Sequence, residues 1–261
     1  MTSERPLWKQ AALPAEHGGW GLTLEPILLG LLTAPSWAGL ALGLAAFGAF
    51  LVRTPLKLAL VDRRREQWRD RSRVGARLAA VELAVIIGCA VWAFVAGGSS
   101  WLVPVAVAAP LVAVELWFDV RSRGRRLLPE LCGSAGIACV AAAIVLAGGR
   151  SAALAVAAWL VLAGRSVGAI PFVRVQIVRL RRGAGAVRGS DIAQVCALAL
   201  GAAAVVLDRR LVGGLGGLVV LAALQVVWVR RPPTVAKVLG LRQMALGISL
   251  VLVTAVGVWT I

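Results

Sequence analysis

The chain has 261 residues, of which 60% are hydrophobic and only 15% charged, with a mean hydropathy of +0.87. So little polar surface cannot cover a soluble globule of this length, so the composition points to a membrane protein. The net charge of +16 would suit nucleic acid in a soluble domain, but here the cations fall in clusters between apolar segments. That pattern fits anionic lipid and argues against a nucleic-acid partner.

The opening MTSERPLWKQAALPAEHGGW is polar and carries two prolines, unlike a cleavable secretory leader, so insertion is expected to use the spans themselves. Residues 1–19 are expected to form a cytoplasmic segment and 20–261 a single helical transmembrane domain. The first apolar segment, 20–32, is short for a bilayer that asks for about 20 residues, and it holds Glu25 and Pro26. A tilt, an earlier start or a break at the proline would each accommodate it. The second segment covers 37–52 and reaches Val61 if it passes Pro55.

Next comes RTPLKLALVDRRREQWRDRSRVGAR, residues 53–77, with nine of the 28 Lys and Arg residues. It reads as a loop, and its basic character marks a cytoplasmic face. Segments three and four, 78–96 and 101–118, are joined by Gly97-Gly98-Ser99-Ser100, a tight hairpin of small residues. Segment five runs over 127–146 and segment six over 152–163, the latter extending to Val173 if it passes Arg165 and Pro171. Segments 192–207, 211–229 and 244–259 complete nine expected spans. All are rich in Ala, Leu, Val and Gly, which lets helices approach closely.

Charge tests the division. With the amino terminus inside, 25 of the 28 Lys and Arg residues fall on the cytoplasmic side, and only Arg150, Arg209 and Arg210 fall outside. One missed or invented span would destroy this alternation, so it supports the number of spans, a cytoplasmic amino terminus and an extracytoplasmic carboxyl terminus. Trp20, Trp37, Trp101, Trp117, Trp228 and Trp259 lie near span ends, as interfacial belts require. The four cysteines, Cys89, Cys132, Cys139 and Cys196, form no CxxC pair and read as small hydrophobes.

Ionisable groups at membrane depth are expensive and invite a functional reading. Glu16, His17 and Glu25 could supply acid–base or hydrogen-bonding groups, His17 being the only histidine. An interfacial cap is the plainer account of the EHGGW segment. Asp62, Glu66 and Asp70 are spaced by four, so on one helix they share a face and suit Mg²⁺ carrying a phosphate substrate. Flanking Arg63, Arg65, Arg69 and Arg73 explain the same spacing through ion pairs. Arg53 and Lys57 beside Pro55, and Arg165 and Arg174 around Pro171, sit where spans meet cytoplasmic loops. Together they could converge on an anionic headgroup, or simply snorkel to lipid phosphates. Glu82, Glu115 and Asp119 could face a polar cavity or pair with the arginines, and ion pairing is the plainer account. No Walker loop, serine elbow, HExxH or GxGxxG following a strand is present, which argues against soluble nucleotide chemistry.

PAEHGGWG followed by Glu25-Pro26, the RTPLK turn, RSRGRRLLPELCG and RSVGAIPFVRVQ resemble the YwiC-like bacterial membrane proteins. More distantly, the nine spans and large connections after spans two and six are similar to UbiA-type intramembrane prenyltransferases. That resemblance implies a bacterial cytoplasmic membrane protein with a cytoplasmic-facing pocket for an isoprenoid or lipid phosphate, and Mg²⁺ held by acidic motifs at both connections. The chain departs from it at the second connection, where Arg165 and Arg174 stand and no aspartate precedes Asp191. A divergent transferase using arginine recognition is therefore one expectation. A proton-coupled transporter, with Glu25, Glu82 and Glu115 as relays and broken first and sixth helices, is another, and a non-catalytic assembly partner is a third.

Overall fold

A computed structural model of the protein describes residues 17–64, 66, 70–121 and 126–261. They form nine α-helices: α1 (His17–Thr33), α2 (Trp37–Arg64), α3 (Asp70–Gly97), α4 (Leu102–Val120), α5 (Leu127–Ala147), α6 (Ala152–Arg182), α7 (Arg188–Leu207), α8 (Val212–Trp228) and α9 (Ala236–Thr260). A 3₁₀ turn, Arg209–Leu211, precedes α8. Eight helical segments are long and apolar enough to cross a membrane, and α1 is a shorter apolar one. The expected all-helical, multi-span architecture is the observed one.

The largest departure from expectation concerns the basic segments. The stretch 53–77 is largely helix, because α2 continues to Arg64 and α3 begins at Asp70. Likewise α6 runs unbroken through Pro171 to Arg182, and α1 through Pro26. At about 1.5 Å per residue the 31 residues of α6 and the 28 of α2 and α3 exceed a hydrocarbon core of roughly 30 Å. Their arginine-bearing ends therefore extend beyond the apolar layer, where water and headgroups accept the charge without ending the helix. Each internal proline removes one N–H from the ladder, but the surrounding packing holds the helix together. The broken first and sixth helices do not occur.

The core lies around α5 and α6, whose membrane-crossing windows are 61% and 67% buried against 11% and 6% for α3 and α4. Small residues make this possible: Ala141, Ala157 and Ala158 are fully buried, and they bring α5 and α6 close enough for Val145, Leu154 and Val161 to interdigitate. In lipid such contacts act through dispersion and close packing, since leaving lipid for protein removes no apolar surface from water. Helix α1 is set between α5 and α9 and also touches α2 and α6. Although a short hairpin joins α3 and α4, α3 packs on α2 and α4 on α5.

The helix ends are closed by side chains. Gly183 takes the left-handed conformation (φ 74°) that terminates α6, with its N–H on the Arg179 carbonyl. Arg179 donates to the carbonyls of Val229 and Arg231, and Gln176 Nε2 to that of Trp228 at 2.8 Å, so α6 satisfies the end of α8 before Pro232 and Pro233. Asp208 caps the 3₁₀ turn, accepting from the Arg210 backbone and side chain. The Arg210 hydrogen bond holds the Asp208 carboxyl below the usual aspartate range.

Candidate functional site

Three helices supply one polar site in the apolar interior. Glu25 on α1 and Arg165 on α6 are 3% and 4% exposed, and Arg165 Nη2 stands 3.4 Å from Glu25 Oε1. The same Nη2 donates to the backbone carbonyl of Gln243 on α9 at 2.7 Å. A charge in hydrocarbon is tolerable only when paired and hydrogen-bonded, and this arrangement supplies both conditions across three helices. It explains why Arg165, nearly two turns before Pro171, reaches inward and does not snorkel.

Glycine makes room for the carboxylate. A Cβ on Gly247 of α9 would overlap Glu25 Oε1, and one on Gly21 would touch the same oxygen at 3.6 Å. Glu25 is thus seated against bare backbone, where α9 approaches α1. The residue that permits the pair lies 222 positions away in the sequence.

Next to the pair is a cavity of about 110 Å³ lined by residues of α1 (Gly21, Leu22, Glu25), α6 (Arg165, Ala169, Ile170, Val173) and α9 (Gly240, Gln243, Met244). Its walls are mostly apolar and its polar side chains are Glu25, Arg165 and Gln243. Among the described residues, Arg165 Nε and both Nε2 and Oε1 of Gln243 are buried without a hydrogen-bond partner. Two donors and one acceptor are therefore left unsatisfied beside a space large enough for a small polar group, an arrangement expected of binding sites and costly elsewhere. At about 1.5 Å per residue, Glu25 lies midway along α1, about 12 Å from either end, and Gln243 lies about 10 Å from the start of α9.

The other sequence candidates lie elsewhere. Arg53 bridges from α2 to Glu115 at 2.9 Å and Asp119 at 3.3 Å, and Lys57 reaches Asp119 at 3.0 Å. Arg174 pairs with Glu130 of α5 at 2.9 Å. These are helix-to-helix clamps with one partner largely in reach of water, and none of Arg53, Lys57 and Arg174 lines the cavity. Of the four cations expected to share a pocket, only Arg165 occupies one. Glu82 on α3 has a buried Oε2 without a partner among the described residues.

The three carboxylates offered for Mg²⁺ do not sit on one helix face. Asp62 is near the end of α2, Glu66 is in the turn with φ 54°, and Asp70 opens α3. Asp62 accepts from Ser72 Oγ at 2.6 Å and from Arg71 at 3.3 and 3.4 Å, tying α2 to α3. No group of three or more His, Cys, Asp and Glu side chains comes together among the described residues, so these carboxylates do not fit a shared metal ion. Glu16 and the side chain of His17 lie outside the described residues.

Sequence reading misses Gln243, which precedes the expected span 244–259 but lies inside α9, and Gly247, which sits within that span as one small residue among many. A signal was present: Gln243 and Gly247 share a face of α9 at i,i+4, as do Gly21 and Glu25 on α1. It also missed a second buried polar seam, where Gln194 Nε2 of α7 donates to the Gly168 carbonyl and to Gln225 Oε1 of α8, both at 3.0 Å. Isolated glutamines in otherwise apolar spans were the clue to it.

The sequence pattern of the family described as YwiC-like protein matches residues 13–145, about half of the chain. That region holds α1 through most of α5, including Glu25 and Asp62, whereas Arg165 and Gln243 lie beyond it. No curated protein and no solved structure matches the chain.

Proposed function

The chain belongs to the YwiC-like family, and from that premise we propose that it is a protein of the bacterial cytoplasmic membrane that binds an isoprenoid or lipid phosphate in the cavity between α1, α6 and α9. The observation that carries this reading is the set of unsatisfied groups at Arg165 Nε and the Gln243 amide beside apolar walls. A guanidinium N–H and an amide NH₂ match phosphate oxygens, the amide oxygen matches a phosphate hydroxyl, and Leu22, Ile170, Val173 and Met244 suit the first part of an apolar tail. The likeness to UbiA-type transferases contributes the substrate class to this proposal. No metal-assisted transfer step follows from it, since Asp62, Glu66 and Asp70 do not gather.

Thermal unfolding of the detergent-purified protein checks the reading. Farnesyl phosphate or phosphatidic acid is expected to raise the melting temperature without Mg²⁺, by about 2.7 kcal/mol of stabilisation at a concentration 100-fold above Kd. Gln243→Leu, which keeps the ion pair, should remove most of that rise. Farnesyl phosphate and phosphatidic acid distinguish a soluble isoprenoid from a membrane lipid, and inorganic phosphate reports the headgroup alone. No rise with any of the three would refute the proposal.

Glu25, a buried carboxylate lining the cavity, favours a second reading as a proton-coupled transporter, for which ligand flux into proteoliposomes is the discriminating readout. Stabilisation without flux would leave binding or transfer in place, whereas co-purification with a partner and no ligand response would point to the assembly role.

The proposed orientation, amino terminus inside, rests on the distribution of Lys and Arg. A periplasmic phosphatase reporter fused after Ile261 should be active and one fused after Gly183 inactive. The reverse pattern would invert the topology and turn the cavity outward.

A further inference from the structure

The cavity holds one cation and one anion, and that balance restricts what can enter it. Arg165 and Glu25 are both buried and pair with each other, so the site is neutral before anything binds. A monoanion placed on Arg165 Nε and Gln243 Nε2 would leave two negative charges around one guanidinium, at a depth where an uncompensated charge is strongly disfavoured. A second cation would remove the conflict, but among the described residues the neighbouring helices do not bring one.

The groups facing Glu25 bear this out element by element. From α6 comes Arg165, and from α9 come Gly247, Gln243 and Met244, while Arg242 of α9 lies over the Trp228 ring at 5.5 Å. Helix α5 carries Glu130, paired with Arg174, and Cys139, whose thiol contacts the Ala135 carbonyl. On α2, Arg53 and Lys57 are committed to Glu115 and Asp119, and Phe47 and Phe50 meet α1 at Trp20. Arg165 is thus the cation set against Glu25 among the described residues.

We infer that the site takes its oxyanion as a monoanion together with one proton, which is received by the Glu25 carboxylate as the ligand oxygen replaces it on Arg165. The balance is complete: a bulk proton forms the O–H of Glu25, the contact between Nη2 and Oε1 is exchanged for contacts to the ligand, and the filled site returns to neutrality. Neutral Glu25 also becomes a hydrogen-bond donor to a ligand oxygen, while Gln243 Oε1 remains open to a second donor. A fully ionised phosphate monoester is disfavoured because it would add a further charge. The inference rests on the reading of the cavity as an anion site.

The test uses farnesyl methyl phosphate, a diester whose single charge does not change between pH 6 and pH 9, binding to the full chain in detergent. Wild-type affinity should fall towards tenfold per pH unit on the alkaline side. Glu25→Gln, a neutral isostere, should bind across the range with a change below about twofold, and more tightly than wild type at pH 9. Wild-type binding that is strong but flat with pH, or a Glu25→Gln variant that keeps the wild-type slope, would overturn proton coupling and leave the anion site standing. Absence of wild-type binding throughout would instead overturn the anion site itself. A Glu25→Gln variant that unfolds is replaced by Glu25→Asp, which retains a carboxylate and should retain the slope; a flat Glu25→Asp profile would also count against the inference.

Discussion

Replacing Glu25 by Ala is expected to destabilise the protein by about 3–5 kcal/mol, the effect of leaving one member of a buried ion pair without the other. Arg165 would keep its 2.7 Å bond to the Gln243 carbonyl but lose the only opposite charge near it among the described residues. Removing both charges should hurt far less: Glu25→Leu with Arg165→Met replaces the pair by apolar groups of similar length, an exchange that is often neutral in other proteins. Unfolding of the two single variants and the double variant in one detergent gives the coupling directly. A Glu25→Ala variant within about 1 kcal/mol of wild type would show that the guanidinium finds another partner, and the site as described would be wrong.

The second large effect belongs to a residue with no side chain. Gly247→Ala would place a methyl group on the Glu25 carboxylate, so either α9 moves away from α1 or the carboxylate leaves Arg165. Overpacking of this kind costs about 1–3 kcal/mol, and the disturbed ion pair adds to it. The clash has a specific remedy, since in a Glu25→Ala background the methyl meets an emptied space. The double variant should therefore be no worse than Glu25→Ala alone, a coupling of about 1–3 kcal/mol. Gly216→Ala on α8 is the control, because a Cβ there meets nothing within 4 Å, and it should be neutral or slightly stabilising. A Gly247→Ala variant as stable as Gly216→Ala would mean that helix propensity governs the response and that Gly247 is not the seat of Glu25.

Much of the architecture was legible in the chain. Long apolar segments and the basic connections between them mark the nine helices found among the described residues, because in lipid the backbone must satisfy itself within each span. The ends were misjudged for one physical reason. Charge does not end a helix here: Arg53 to Arg64 and Arg174 to Arg182 continue their helices beyond the apolar layer, held by cross-helix bonds such as Arg53 to Asp119 and Arg179 to the carbonyls after α8. Of the site, Glu25 and Arg165 were visible as charges in apolar surroundings. Their pairing was not, since it spans 140 residues and depends on Gly247 and Gln243, neither of which carries charge. Proximity of basic residues to a common membrane face suggests one pocket, but the structure divides them among separate clamps: Glu115 and Asp119 pair with Arg53 and Lys57, as their charge leads one to expect, and Glu130, which the sequence does not single out, takes Arg174.

The most direct test of the anion cavity is photolabelling of the detergent-purified protein with a prenyl phosphate bearing a diazirine on its first isoprene unit, followed by peptide mapping. Labels competed by unlabelled farnesyl phosphate are predicted on the cavity walls, at Leu22, Ile170, Val173 or Met244. Competed labels confined to α2 and α4 near Arg53 and Lys57, or labelling that farnesyl phosphate fails to suppress, would contradict the assignment of the cavity between α1, α6 and α9.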